Sequence, residues 1–191
     1  MRIGVFGGSF DPIHHGHLIV ARAALEGLSL DQVRFVPVRQ QPFKREDHGA
    51  SPEDRLAMVA VAVAGEPGFV VDRCELDRAG PSYTVDTLRT LRAAYPRDQL
   101  VLLLGADAAR DLATWREAEV LPTLAEIVVL SRPGVAVVAQ GLVSATLAVP
   151  SVDIAASDLR ARCARGASIR HCVPDAVRAL IADRRLYRER D

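Results

Sequence analysis

The sequence predicts an α/β fold in which a doubly wound, mostly parallel sheet carries helices on both faces. Short apolar runs alternate with segments of helical periodicity, and the run at residues 100–104 is apolar without a break, as in a strand buried on both sides. Such sheets bind ligands at the carboxyl ends of their strands, near the point where the strand order reverses. Functional residues are therefore expected directly after the predicted strands.

Five short apolar runs predict the strands. In chain order they are residues 3–6, 33–38, 69–73, 100–104 and 127–130. Each run is rich in Val, Ile, Leu or Phe, and each has the length of an ordinary strand. Residues 134–149 are assigned to neither a strand nor a helix.

Apolar spacing and boundary residues predict the helices. Leu18, Ala21 and Leu25 share one face of the first helix. Ser51, followed by Pro and two acids, is typical of a helix start, and Thr84 is expected to cap the next helix. The predicted helices are residues 17–28, a helix beginning at residue 51, and residues 84–94, 157–165 and 174–186.

The length of 191 residues favours one domain, residues 1–191, with a helical C-terminal part from about residue 157. The formal net charge is zero, which argues against general binding to nucleic acid or to an anionic membrane. The longest apolar runs are too short to span a bilayer, and no signal peptide is expected, since strand-like residues start at Arg2. A homo-oligomer is left open.

The cysteine content favours a reducing compartment. Cys74, Cys163 and Cys172 are an odd number without metal-ligand spacing, so free thiols and a cytoplasmic location are expected. Lys44 is the only lysine among 24 basic residues. Either this is chance, or it marks a place where a compact ammonium is needed rather than a planar guanidinium.

A run rich in glycine and histidine, residues 7–17, directly follows the first predicted strand. Glycines permit a sharp turn, and the next helix begins near Gly16, so its N–H groups suit a phosphate. His14 and His17 are expected on one face of that helix, where both can donate hydrogen bonds to phosphoryl oxygens, while His15 points elsewhere. A metal site is the alternative, and neither the Walker pattern nor Gly-x-Gly-x-x-Gly is present.

This run resembles the signature of the nucleotidylyltransferase superfamily, whose HxGH motif binds ATP phosphates. The match consists of Gly-Ser-Phe-Asp-Pro at residues 8–12 and His-x-Gly-His at residues 14–17. The resemblance implies a Rossmann-like nucleotidylyltransferase fold and catalytic roles for His17 and His14. It also implies that ATP is contacted by Gly8, Ser9, Phe10, His14 and His17.

Later segments resemble the bacterial nicotinate mononucleotide adenylyltransferases. Residues 75–88 resemble their ExxRxGxSYTxDTL block, residues 105–115 their GxD…W block, and residues 154–160 their ISSTxIR block, while residues 131–134 and the C-terminus also match. The resemblance implies transfer of AMP from ATP to nicotinate mononucleotide, with Mg²⁺ bridging the ATP phosphates. The further ATP-binding residues it implies are Lys44, Gly105, Asp107, Ser157 and Arg160, and the substrate-binding residues are Lys44, Tyr83, Thr84, Trp115 and Arg132.

The residues by themselves also permit structural interpretations. Thr84 and Asp107 are residue types that cap helices, and a lone Trp such as Trp115 is commonly a core residue. Two departures from the resemblance matter: Ala155 and Ala156 replace hydroxyl residues of the ISST block, and Phe43 stands where the family's loop often has His. We expect weaker ATP binding from the first departure, since each neutral hydrogen bond contributes about 0.5–1.5 kcal/mol.

Three other functions are kept as rivals. The same chemistry on nicotinamide mononucleotide is the nearest, and phosphopantetheine is a second acceptor, although the Ser-Tyr-Thr block at residues 82–84 argues against it. The third is a non-catalytic nucleotide-binding regulator, suggested by Ala155 and Ala156.

Overall fold

A computed structural model of the chain describes residues 1–40, 49–131 and 141–188. Six parallel strands form one sheet in the order β3-β2-β1-β4-β5-β6. The strands are β1 (Arg2–Gly8), β2 (Gln32–Pro37), β3 (Phe69–Val71), β4 (Gln99–Gly105), β5 (Glu126–Ser131) and β6 (Ala145–Ala148). The chain builds outward from β1 to one edge and then crosses to β4, so the strand order reverses between β1 and β4. The predicted doubly wound fold is confirmed, and every described strand pair is parallel.

Seven α-helices lie within the described residues. They are α1 (His15–Gly27), α2 (Pro52–Val63), α3 (Thr84–Ala94), α4 (Ala106–Arg110), α5 (Leu121–Leu124), α6 (Ala156–Ala164) and α7 (Asp175–Asp183). Helices α6 and α7 form the predicted helical C-terminal part, and α7 packs against α2. None of these helices is long and apolar enough to cross a membrane.

The strands separate two hydrophobic clusters, one on each face of the sheet. In β4, Leu100, Leu102 and Leu104 belong to one cluster, whereas Val101 and Leu103 belong to the other. All five are buried, as expected for a parallel strand covered on both faces. The cluster around Val101 also receives α1, α2, α6 and α7, and the opposite cluster receives α3 and α5.

Several predicted boundaries were wrong by a few residues. Strand β1 continues through Gly8 because β2 supplies pairing partners for both glycines, so these glycines end the strand rather than form the turn. Strand β3 ends at Val71, after which the Asp72 carboxylate turns to accept a hydrogen bond from Arg34 Nε at 2.9 Å. Helix α1 begins at His15, two residues before the predicted start.

Two predicted helix starts also need correction. Tyr83, not Thr84, is the N-cap of α3, and no side chain caps that helix. Helix α6 begins at Ala156, with Ala155 as its N-cap, so Ser157 is already its second residue. Such shifts arise because local sequence fixes the existence of a helix better than its first residue.

Three short elements escaped prediction. Strand β6 lies in the segment that was assigned to no element, and helices α4 and α5 are four or five residues long. Strand β6 is mostly exposed at the edge of the sheet, so its sequence of small residues carries little hydrophobic signal. Pairing with β5, rather than local propensity, defines it.

Candidate active site

A cavity of about 500 Å³ opens at the carboxyl ends of β1 and β4, where the strand order reverses. This is the position at which open α/β sheets bind ligands. Its walls come from the ends of β1, β2 and β4, the start of α3, and the segment after α4. The lining includes residues 5–8, 82–84, 102–105 and 114–116.

The loop after β1 turns at Phe10, which has a left-handed backbone (φ +49°). The Phe10 ring is buried and lies edge-on to His17, with 5.2 Å between the ring centroids. A side chain at Gly8 would lie only 3.0 Å from this ring, so glycine is needed there for close approach. The ring of Phe10 therefore packs against His17 and helps to fix the position of the His17 ring.

His14 and His17 are brought together at the start of α1, as the sequence predicted. Their rings stack with centroids 3.7 Å apart, and His14 is the N-cap of the helix. The His14 N–H donates a hydrogen bond to Nδ1 of His17 at 3.3 Å. Since Nδ1 accepts, the neutral His17 ring carries its proton on Nε2, which is thereby available as a donor.

Both histidines are neutral at physiological pH. Burial, reinforced by a neighbouring histidine, lowers the pKa of His14 to about 4 and that of His17 to about 3. A neutral imidazole donates a hydrogen bond without supplying a proton, so the pair is suited to stabilising charge rather than to general acid catalysis. The activity of this site should therefore show no change near pH 6.5, where an ordinary histidine side chain titrates.

Gly16 makes the stacked arrangement possible. A side chain at this position would lie 2.9 Å from Nδ1 of His14 and 3.6 Å from Val152. The glycine thus leaves room for the His14 ring and for the segment that leads into α6. His15 stays outside the stacked pair, and its N–H donates to the carbonyl of Cys172.

The start of α3 and Trp115 form the other wall. Tyr83, Thr84 and Trp115 all line the cavity, and Trp115 is half-buried against the cluster under α3. Among the described residues, no side chain accepts a cap hydrogen bond from the first turn of α3. Its N–H groups and the positive end of its dipole are therefore free of a side-chain cap and favour an anion.

Glu75 is a buried acid in this wall to which the sequence assigned no role of its own. The Thr87 hydroxyl donates to Glu75 Oε1 at 2.6 Å, and the residue lines the cavity. Burial raises the pKa of Glu75. Because Thr87 lies in the first turn of α3, this bond fixes the helix start against the preceding segment.

Asp11 joins three distant parts of the chain, which the sequence did not reveal. Its side chain is 2% exposed and accepts from the Tyr187 hydroxyl at 2.7 Å and the Gly49 N–H at 2.9 Å. Its backbone carbonyl accepts from Arg160 Nη1 at 2.8 Å. A buried carboxylate needs such hydrogen-bond donors. The apolar neighbours Phe10 and Pro12 are the sequence feature that could have indicated its burial. Asp11 thus holds Arg160 beside the histidine loop.

We expect Tyr187→Phe to lower the free energy of unfolding by about 1–3 kcal/mol, because it removes a donor from the buried Asp11 carboxylate. Arg160, an expected ATP-binding residue, and Gly49 are both hydrogen-bonded to Asp11. The substitution should therefore also raise KM for ATP more than KM for the second substrate. Chemical denaturation and steady-state kinetics measure the two effects. Tyr95→Phe, in the cluster on the opposite face of the sheet, is the matched control and should change stability by less than about 0.5 kcal/mol. Equal losses in the two variants would contradict the anchoring role.

Arg55 is a second support that the sequence did not single out. Its side chain is completely buried, and Nη1 donates to the carbonyl of Ser9 at 2.8 Å while Nη2 donates to that of Arg39 at 3.3 Å. It therefore holds the histidine loop next to the chain that leaves β2. Nothing in the sequence distinguishes Arg55 from the other arginines, so its burial and its supporting role could not be predicted.

The remaining predicted residues lie in different places. Gly105 ends β4 and lines the cavity. Asp107 is outside the lining, 91% exposed, and paired with Arg110, and it is not the cap of α4. Ser157 is exposed in the first turn of α6. Lys44 and Arg132 lie outside the described residues.

Residues 5–162 match the sequence family described as cytidylyltransferase-like. This span contains the histidine loop, the cavity and most of α6. The chain belongs to the cytidylyltransferase-like family. Tyr187, which anchors Asp11, lies outside the matched span.

Several relatives resemble the chain over nearly its whole length. A probable nicotinate-nucleotide adenylyltransferase of Thermus thermophilus is 49% identical over 188 residues, which cover 98% of this chain and 100% of the relative. A protein with the same description from Roseiflexus sp. is 46% identical over 195 residues, with 97% and 98% covered.

Solved structures share the fold at lower identity. The Plasmodium falciparum nicotinic acid mononucleotide adenylyltransferase complexed with NaAD superposes with a TM-score of 0.75 at 18% identity and covers 97% of both chains. A putative nicotinate-nucleotide adenylyltransferase from Vibrio parahaemolyticus gives a TM-score of 0.72 at 20% identity, with 99% of this chain and 96% of that chain covered. The Rossmann-like nucleotidylyltransferase fold is thereby confirmed.

Proposed function

We propose that this protein transfers AMP from ATP to nicotinate mononucleotide, giving deamido-NAD and pyrophosphate. The observation that carries the proposal is a cavity in which Trp115 lies beside the start of α3 and Phe6 lies 6.4 Å, between ring centroids, from His17 of the stacked histidine pair. The histidine pair suits a phosphate, and Trp115 with the helix start suits a flat ring with an acidic substituent. Relatives that are 41–49% identical and described as nicotinate-nucleotide adenylyltransferases support this reaction.

The chemistry needs positioning and charge stabilisation rather than a covalent intermediate. The 5′-phosphate of the mononucleotide attacks the α-phosphorus of ATP in line, and pyrophosphate leaves. Nε2–H of His17 donates to an α-phosphate oxygen, where negative charge builds in the transition state. His14 acts beside it, both by stacking on the ring and through the N–H that fixes the His17 tautomer.

The triphosphate is assigned to the loop after β1 and to α6. Gly8 and Ser9 offer backbone at the end of β1, and Arg160 is held by one nitrogen on the Asp11 carbonyl. No side chain caps α6, so its first N–H groups, with Ser157, are proposed to meet phosphate oxygens despite the missing hydroxyls at Ala155 and Ala156. Lys44 is proposed to contact phosphates of both substrates.

Three further residues complete the proposed assignment. Gly105 and Asp107 are proposed to hold a ribose at the end of β4, which requires Asp107 to leave its exposed pair with Arg110. Arg132 remains a proposed contact of the mononucleotide.

Mg²⁺ is proposed to enter as part of the ATP complex. The described residues contain no group of three or more His, Cys, Asp or Glu side chains that could hold a metal ion. That fits a cation whose ligands are mainly phosphate oxygens and water. We also propose that the protein acts in the cytoplasm, where ATP and free thiols are maintained.

We expect nicotinate mononucleotide to be used in preference to nicotinamide mononucleotide. The positive end of α3 favours a carboxylate by roughly 0.3–2 kcal/mol, and desolvated hydrogen bonds can add to this. A pyrophosphate-release assay with ATP and either mononucleotide, or phosphopantetheine, measures kcat/KM for each acceptor. Equal or faster turnover of the amide would contradict the assigned substrate, and no release with any acceptor would favour a non-catalytic regulator.

A further inference from the structure

We propose that Arg116 is a specificity-determining residue that contacts the carboxylate of the acidic mononucleotide and disfavours the amide. The inference deepens the proposed function and depends on it. It rests on the charge of the cavity lining, on the ion pairs of Arg116, and on the chemistry by which the two candidate substrates differ.

Arg116 is the only cationic side chain among the described residues that line the cavity. The two charged residues that accompany it there, Glu75 and Asp111, are both acidic. A ligand with a carboxylate and a phosphate would therefore meet an unfavourable wall if Arg116 were absent. The remaining lining is largely apolar, and charges interact more strongly there than in open water.

The guanidinium of Arg116 is held in place but keeps donors available. Its Cζ lies 4.8 Å from the centroid of the Tyr83 ring, and Tyr83 is the N-cap of α3. Its contacts with carboxylates are long: Nη1 is 3.5 Å from Asp86 Oδ2, and Nε is 3.7 Å from Glu117 Oε1. Neither contact is a strong hydrogen bond, so the N–H groups of Arg116 remain available to a ligand. The contact with the Tyr83 ring positions the plane of the guanidinium.

Arg89 explains why those pairs are weak. It bonds both oxygens of Glu117, at 2.6 and 3.2 Å, and it is also within 3.7 Å of Asp86 Oδ1. The two acids near Arg116 are thus already shared with another cation. Arg89 does not line the cavity, which leaves Arg116 as the cation that can turn toward a ligand.

The two candidate substrates differ at one group. The ring substituent of the acid carries a negative charge, while that of the amide is neutral and presents N–H donors. A guanidinium forms two parallel hydrogen bonds to a carboxylate, whereas a carboxamide offers one acceptor oxygen and places its NH₂ donors against the second guanidinium nitrogen. Because Tyr83 joins Arg116 to the start of α3, a carboxylate at that start lies within the field of both.

The test is the acid-to-amide ratio of kcat/KM in Arg116→Gln. We expect turnover of nicotinate mononucleotide to fall by about tenfold or more while that of the amide changes by less than about threefold, so that the ratio falls. Arg116→Lys should retain part of the preference, since it keeps the charge but loses the planar fork. Far-ultraviolet circular dichroism establishes that each variant is folded.

Arg178→Gln is the matched control, because it removes the same charge from a half-exposed arginine that pairs with Asp175 on α7 and does not line the cavity. It should leave the ratio within about twofold of the original. Equal losses for acid and amide in Arg116→Gln would assign Arg116 to the shared phosphate and overturn the inference, and so would an unchanged ratio. If the unaltered protein used neither mononucleotide, the proposed function would fail before this question arose.

Discussion

His17→Ala is expected to reduce kcat by about 10²–10³-fold with a smaller change in KM. The Nε2–H donor is proposed to act on charge that develops at the α-phosphorus, so its loss should fall mainly on the transition state. Losing one such donor has an effect of this size in well-studied sites. Steady-state kinetics of pyrophosphate release at saturating ATP and mononucleotide measure it.

His15→Ala is the control for the catalytic face, since His15 belongs to the same helix turn but not to the stacked pair. Its rate should fall less than about tenfold. The His17 ring packs on Phe10 and stacks on His14, so a moderate decrease in Tm is also expected for His17→Ala. Equal activity of the two variants, or a slower His15→Ala enzyme, would show that the catalytic face is wrongly assigned.

Trp115→Ala is expected to weaken the binding of nicotinate mononucleotide by about 1–3 kcal/mol. The binding of ATP should be weakened much less. The half-buried indole lines the cavity and offers a flat surface for the pyridine ring, and stacking of a base on an aromatic side chain contributes this much. Calorimetric titration of the folded variant with each ligand separately measures the difference.

Trp115→Phe is the matched variant, because it retains an aromatic face and should recover part of the lost affinity. The Trp115 ring also packs against the cluster under α3, so some loss of stability is expected in Trp115→Ala. Unchanged mononucleotide affinity in a folded Trp115→Ala protein would return Trp115 to a core role. A parallel loss of ATP affinity would instead indicate a general change in the cavity.

Much of the architecture could be predicted because its signals are local. The unbroken apolar run in β4 and the alternation of strands with helices indicated a sheet covered on both faces. The histidine loop was also predictable, since His14 and His17 are only three residues apart. Because His14 is the N-cap of α1 and His17 is its third residue, the geometry of the helix start brings the two side chains together.

The chemistry of that pair was decided by tertiary structure. The sequence placed two imidazoles on one face, but burial and the bond from the His14 N–H determine that both are neutral and that His17 donates from Nε2. The same holds for Phe10, whose φ of +49° and buried ring correct the expectation that glycines make the turn.

The sequence by itself therefore determined the fold class, the loop that carries the histidines and the residue types offered to the nucleotide. Only the tertiary structure decided which distant groups support them: Tyr187 on Asp11, Thr87 on Glu75 and Arg116 over Tyr83. The physical reason is separation along the chain. Periodicity and capping act over a few residues, whereas a buried polar contact between residues 11 and 187 exists only because packing brings them together and excludes the water that would otherwise solvate them.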